Sequence, residues 1–199
     1  MYRLLETIMI SEGELLHIEY HNKRFNETRK TLFNNKNEID LSKEIEIPAD
    51  IGDDIYKCRI VYNDTIHYYE FLPYKKKKIK NLKMVKANWI EYNFKYYNRT
   101  SFDQLLHQNK EFDDILIIKD GLITDTSYCN VVFFDGDNWF TPASPLLRGT
   151  CRARLLDEGK IKERNITPDH LRHYQKVKLI NAMNDFEDGI SLNVSEIYK

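Results

Sequence analysis

The pair Asp120-Gly121, set between the apolar runs Asp114–Lys119 and Leu122–Thr124, does most to restrict what this chain can become. Asp-Gly readily supplies the two positive-φ positions of a type I′ turn, so the flanking runs fold back on each other as an antiparallel hairpin. The same punctuation recurs along the chain. Leu4–Ile10 and Leu15–Tyr20 flank a Ser-Glu-Gly-Glu turn; Ile55–Asn63 and His67–Leu72 meet around Asn63-Asp64; Val131–Phe134 and Asn138–Thr141 flank Asp135-Gly136-Asp137. Alternation in the Ile55–Asn63 run puts Tyr56, Cys58, Ile60 and Tyr62 on one face and Lys57, Arg59 and Val61 on the other. Further strands are expected near Ile79–Ala87, over Lys176–Ile180 and at Ile190–Tyr198.

Helical spacing separates these strands. Asn22–Phe33 carries Phe25, Thr28, Leu32 and Phe33 on one loosely apolar face, and the stretch from Arg99 to Gln108 has Phe102, Leu105 and Leu106 in register. Thr150–Glu158 stops at Gly159, a suitable residue just past a helix end. Thr167-Pro168 looks like an N-cap followed by proline at the first helical position, opening a helix toward Tyr174. The mixture predicts an α/β (α+β) chain. Pro73 and the run Lys75–Lys78 read as a surface crossing, so residues 1–82 are expected to form one lobe and residues 83–199 another.

With 199 residues there is enough chain to bury a sizeable core. Hydrophobic residues make up 42% and charged residues 31%, in the usual range for a soluble globular protein. A net charge of −1 gives no electrostatic pull toward nucleic acid or an anionic membrane. No apolar run is long enough to span a bilayer, and Arg3 and Glu6 interrupt any signal-peptide core, so a cytoplasmic protein is expected. Cys58, Cys129 and Cys151 are odd in number and lack metal-ligand spacing, which argues against a disulfide framework or a metal site. His17 and His21 stand four apart, but Glu19 and Tyr20 continue a strand-like stretch, so both histidines read as solvated or capping.

Four separated pieces could carry chemistry. Lys95 lies among aromatics in Asn93-Phe94-Lys95-Tyr96-Tyr97-Asn98-Arg99; a lysine buried there would lose hydration and move toward the neutral amine that attacks carbonyls. A snorkelling surface lysine fits the same letters. Asp125 stands just beyond the expected strand Leu122–Thr124, where a carboxylate could meet a ligand or close an Asx turn. Thr150 and Cys151 open a helix after Arg148-Gly149, and the unpaired amides of such an end can hold an anion, though most such ends hold only water. Ala182 belongs to Asn181-Ala182-Met183-Asn184, a strand exit whose small residue permits close backbone approach, or simply a turn.

Taken together and in order, these pieces resemble the class IV aminotransferase family, the pyridoxal-phosphate enzymes of fold type IV. The likeness runs from Leu5-Glu6-Thr7-Ile8 and His21-Asn22-Lys23-Arg24 through Asn181-Ala182. It implies a two-lobe fold with pyridoxal 5′-phosphate in the cleft between the lobes, and a homodimer acting on a small amino substrate. It also implies roles: Lys95 as the Schiff-base lysine and proton-transfer base, and Arg24 as a phosphate contact from the first lobe. Asp125 becomes the carboxylate beside the pyridine nitrogen. Thr150, Cys151 and Ala182 become phosphate contacts, and Asn130 a structural asparagine.

The chain departs from the family pattern in places. Asp125 stands where the family usually has Glu, and Thr150 where it has an aliphatic residue. The N-terminal end is shorter, and so is the loop after the Ile55–Asn63 strand, leaving Arg59 as the candidate contact for the substrate carboxylate. Lys95-Tyr96-Tyr97-Asn98-Arg99 is similar to the Lys-x-x-Asn-Arg of aminodeoxychorismate lyases, whereas branched-chain enzymes resemble Lys-x-x-x-Asn-Tyr. The resemblance thus points to 4-amino-4-deoxychorismate lyase, releasing pyruvate to give 4-aminobenzoate for folate. An amino-acid aminotransferase and a non-catalytic pyridoxal-phosphate-binding protein are the alternatives.

Overall fold

A computed structural model describes residues 2–52 and 54–199. They form two compact units. The first takes the described residues through Lys76 together with Phe94–Asn98; the second takes Lys77–Asn93 and Arg99–Lys199. The division therefore falls inside the Lys75–Lys78 run, and the segment bearing Lys95 packs with the first unit instead of the later one. The cause is main-chain pairing: Leu5 N–H donates to the Lys95 carbonyl at 2.9 Å and Tyr97 N–H to Arg3 at 2.8 Å, with Tyr96 bridged opposite Leu4.

In the first unit the elements are β1 (Leu4–Ser11), β2 (Glu14–Leu15), α1 (Ile18–Phe33), the short α2 (Leu41–Glu44), β3 (Tyr56–Tyr62) and β4 (Ile66–Pro73). The strands form an antiparallel sheet in the order β2-β1-β3-β4. The alternation read in β3 holds: Cys58, Ile60 and Tyr62 are buried with Leu4, Ile8, Ile10 and Phe25, and Tyr56 packs on the same cluster. The helix starts earlier than its apolar letters suggest. Leu15–Tyr20 is no strand; β2 stops at Leu15, His17 takes a left-handed conformation (φ 53), and Glu19 and Tyr20 lie in α1. The buried face of α1 is His21, Phe25, Thr28 and Arg29, a helical i, i+4, i+7, i+8 series in which only one member is apolar. Periodicity in hydrophobic residues alone could not find it.

In the second unit the order is β5 (Leu82–Lys86), α3 (Thr100–Gln108), β6 (Asp114–Lys119), β7 (Leu122–Thr126), β8 (Asn130–Phe134), β9 (Trp139–Pro142), α4 (Thr150–Asp157), β10 (Lys162–Arg164), a 3₁₀ turn Pro168–His173, β11 (Lys176–Ile180), β12 (Ile190–Asn193) and β13 (Ile197–Tyr198). Sheet order is β10-β9-β8-β7-β6-β5-β13, with β11 pairing both β8 and β12. The β5–β6, β13–β5 and β10–β9 pairs are parallel and the rest antiparallel. Asp120 (φ 51) and Gly121 (φ 79) make the expected turn between β6 and β7. Strand β8 is covered on both faces. Val131 and Phe133 enter one core with Leu82, Leu116, Val177 and Leu179, while Val132 enters another with Cys151, Leu155 and Ile180. That second core seats α4 and hence fixes where its first residues lie.

No described helix is long and apolar enough to cross a membrane. Among the described residues no group of three or more His, Cys, Asp or Glu could hold a metal ion. The three cysteines are free and buried.

Candidate active site

The polar centre of the second unit is Asn130, at the first position of β8. It stands opposite Asp125 of β7 and opposite Ile180 of β11 in the strand registers. Its Nδ2 donates to Asp125 Oδ1 and to the Leu147 carbonyl, both at 2.8 Å. Leu147 N–H in turn donates to Asp125 Oδ2 at 2.9 Å. Gly149 presses against the other side of the Asn130 amide; a Cβ there would lie 2.1 Å from Asn130 Oδ1. One amide thus ties a strand carboxylate, a loop and the start of α4 together. This is why the loop must enter the helix through glycine.

Asp125 lies inside β7, not beyond its end, because the strand runs on to Thr126. The turn that follows is closed by Thr126 N–H to the Cys129 carbonyl (2.8 Å) and by Cys129 N–H to Thr126 Oγ1 (3.1 Å). Nor does Asp125 close an Asx turn: its partners are Asn130 and Leu147. Burial pushes its carboxyl up to about 6, against the Leu147 amide, the Asn130 side chain, the Arg152 cation and the Leu146 amide, all of which favour the ionised form.

Thr150 and Cys151 are the first two residues of α4, and Gly149 at the N-cap leaves that end without a side-chain cap. The Cys151 thiol is pushed up to about 12 by burial, so it stays neutral and only its backbone suits an anion. Ala182 sits in the turn Asn181–Asn184, which is closed by reciprocal 3.0 Å backbone bonds between Asn181 and Asn184. The Asn181 side chain donates to the Tyr128 carbonyl at 3.2 Å and lies 3.1 Å from Cys129 Sγ, linking this turn to the one after β7. Asp125, Thr150, Cys151 and Ala182 are therefore all carried by segments converging on the Asn130 end of β8.

Lys95, Arg24 and Arg59 belong to the first unit. Lys95 is half-buried in an irregular segment, between Phe94 and Tyr96, which both pack on the core of this unit. The Arg24 guanidinium grips Glu6 side-on, Nε to Oε1 at 2.8 Å and Nη2 to Oε2 at 2.6 Å. Arg59 faces Glu70 across β3 and β4 in an ion pair of 2.8 Å, its guanidinium 5.0 Å from the centre of the Tyr97 ring.

Three side chains with prominent places here were given no site role of their own in the sequence. His21, read as solvated or capping, is buried; its Nδ1 meets Glu6 Oε2 at 2.7 Å. Glu6 is fully buried. Burial pushes its carboxyl upward, but Arg24 and the hydrogen bonds from His21 and Arg24 outweigh that and hold it at about 2. Burial lowers the His21 pKa, Glu6 opposes, and the Arg24 and Lys95 charges lower it further. Arg99 packs its cation against Tyr92, Phe102 and Tyr128, with ring centres at 5.4, 4.4 and 4.3 Å, and donates to the Ser127 carbonyl. Ser127 Oγ donates to the buried Asp114. Arg99 thereby steadies the turn directly after Asp125. The only sequence signal for these residues is the motif order, since isolated polar letters show no periodicity.

The chain belongs to the class IV aminotransferase family: the sequence profile described as "Amino-transferase class IV" matches residues 3–186. Members of that family depend on pyridoxal phosphate, and the chain is an enzyme of this class. It is similar to a "putative 4-amino-4-deoxychorismate lyase" of Haemophilus somnus 129pt, whose crystal structure superposes with a TM-score of 0.83 at 35% identity, covering 93% of this chain and 98% of that one. An uncharacterized protein of Haemophilus influenzae is 35% identical over 92% of this chain and 99% of its own length. A "putative aminodeoxychorismate lyase" of Schizosaccharomyces pombe is 29% identical over 48% of this chain and 46% of its own.

Two outcomes follow from the geometry. Gly149→Ala should drive the Asn130 amide off Asp125, and losing a hydrogen bond to the ionised form should move the Asp125 carboxyl upward from about 6. Carbon-13 titration of that carboxyl checks this, and an unmoved midpoint would contradict it. Glu6 behaves oppositely. Its folded value of about 2 lies below the ordinary value of 4.5, so its stabilisation is present above pH 4.5 and lost as pH falls toward 2. The depressed pKa corresponds to a contribution on the order of 3 kcal/mol. Acid unfolding of the wild type should steepen through that window, and Glu6→Gln should remove that part of the slope.

Proposed function

We propose that this enzyme is a pyridoxal-phosphate-dependent 4-amino-4-deoxychorismate lyase, converting its substrate to 4-aminobenzoate and pyruvate. The observation that carries the reading is the similarity to the Haemophilus somnus protein over nearly the full length of both chains. The Lys95-Tyr96-Tyr97-Asn98-Arg99 pattern supports it, and the position of Arg99 gives that pattern a physical purpose.

The residues present fit the cofactor. An uncapped α4 start suits a phosphate dianion, because its amides and helix dipole favour negative charge. A buried carboxylate with a raised pKa suits a pyridine nitrogen, since a facing N–H cation holds the acid ionised and the acid holds the proton on nitrogen. The bound cofactor supplies an electron sink for the charge left at the carbon bearing the substrate amine.

The chain's own residues divide the work. Lys95 would hold the cofactor through its Nζ, and as a free amine it would take the proton from the substrate carbon that bears the amine. Asp125 keeps the ring nitrogen protonated, and Asn130 with the Leu147 amide keeps Asp125 aimed. The amides of Thr150 and Cys151, the turn at Ala182 and the Arg24 guanidinium hold phosphate. Arg59 receives the substrate carboxylate by giving up part of its hold on Glu70. The working unit is a cytoplasmic homodimer.

Incubating the protein with pyridoxal phosphate and then borohydride should fix the cofactor to the Lys95 peptide alone. Lys95→Ala should lose that label and all turnover while staying folded, and Asp125→Ala should bind cofactor yet turn over ~10²-fold more slowly. Aminodeoxychorismate should yield 4-aminobenzoate and pyruvate. Formation of new amino acids from an amino/keto acid panel, with no 4-aminobenzoate, would make the enzyme an aminotransferase instead.

A further inference from the structure

Nothing in the roles above uses Glu6, although its carboxylate is fully buried in the first unit. Its side chain is 0% exposed, and both of its oxygens are engaged: Oε1 by Arg24 Nε, and Oε2 by Arg24 Nη2 and His21 Nδ1. Stability alone is a weak reason for such an arrangement, since withdrawing a carboxylate from water costs several kcal/mol and a well-packed apolar residue often serves as well. A side-on fork on a carboxylate, however, fixes the plane of a guanidinium, which a single contact does not. His21 and Arg24 lie one turn apart on α1, so both reach the same carboxylate. The residue before Glu6 on β1, Leu5, holds the Lys95 carbonyl at 2.9 Å. One short piece of strand thus carries the anchor of Arg24 and the main-chain anchor of Lys95.

We infer that Glu6 is a positioning residue: by gripping Nε and Nη2 of Arg24, it sets the direction in which that guanidinium meets the phosphate of the cofactor. This rests on the pyridoxal-phosphate reading above and adds to it a residue that touches neither cofactor nor substrate. Nδ1–H donation from His21 to Oε2 completes the cradle and leaves Arg24 as the cation that balances Glu6.

The test compares two ligands that differ only in the phosphate. Dissociation constants for pyridoxal phosphate and for pyridoxal are measured by absorbance titration on the wild type, Glu6→Gln, Arg24→Met and the double variant. The wild type should prefer the phosphorylated ligand, and Glu6→Gln should lower that preference about tenfold, as expected when a charge-assisted contact is misaimed. Arg24→Met should lower it at least as far, and adding Glu6→Gln to Arg24→Met should lower it no further, because Glu6 acts only through Arg24. The double variant also buries no unpaired charge at this place, which keeps it folded. Should Glu6→Gln alone fail to fold, Glu6→Asp retracts the carboxylate by one methylene and should lower the preference in the same direction.

Parallel weakening of both ligands with an unchanged ratio would make Glu6 a structural residue and overturn the inference. A further loss in the double variant would overturn it too. Borohydride labelling of Lys95 separates the two levels. Labelling with an unaltered ratio in the Glu6 variants defeats only the positioning role, whereas absence of labelling and of any phosphate preference in the wild type defeats both.

Discussion

The second unit depends on one side-chain amide. Asn130 has no freedom left: two acceptors 2.8 Å away take its Nδ2 protons, and Gly149 lies flush against its oxygen. Remove that contact and three things come loose together, namely the carboxylate of β7, the loop at Leu147 and the entry to α4. A buried polar network of this kind is stable only when every member is satisfied. Here that condition dictates residue types at positions far apart in sequence. Glycine at 149 follows from the space available, and asparagine at 130 follows from needing two N–H donors on one short side chain.

The first unit is governed by a charge. Glu6 stays ionised in a buried place because Arg24 and His21 face it, and their combined effect exceeds the penalty of desolvation. The two centres therefore hold their carboxylates in opposite ways. Glu6 is pulled far down by a cation on its oxygens, whereas Asp125, supported chiefly by neutral donors, is pushed up to about 6. A carboxyl poised near neutrality responds to a cationic partner; one held near 2 is already committed to its own. The difference suits Asp125 to a ligand and Glu6 to a fixed scaffold.

Much of the strand pattern was legible because it rests on local rules. Asp120-Gly121 turns where only positive φ serves, β6 and β11 have the bounds their letters imply, and Gly159 (φ 68) follows α4 as expected. Legibility failed where polar residues fill buried positions. The face of α1 is written in His21, Thr28 and Arg29 around a single Phe25, so the helix start at Ile18 and the burial of His21 gave no hydrophobic signal. Arg29 shows the same thing: its guanidinium is buried beside the Phe25 ring and donates to Asp64 and Asn37 carbonyls, a structural post that no periodicity announces.

By itself the sequence determined the fold class, the family and the candidates Lys95, Arg24, Asp125, Thr150, Cys151 and Ala182, since motif order and turn chemistry act between near neighbours. Only the tertiary structure decided what those residues are bonded to. It put Asp125 within its strand, gave Arg24 to Glu6 and Arg59 to Glu70, and returned the Lys95 segment to β1. The reason is physical. Local preferences concern backbone dihedrals and side-chain spacing, which a few letters encode. The ionisation of a buried carboxyl and the aim of a guanidinium depend on partners many residues away, which chain order alone does not bring together.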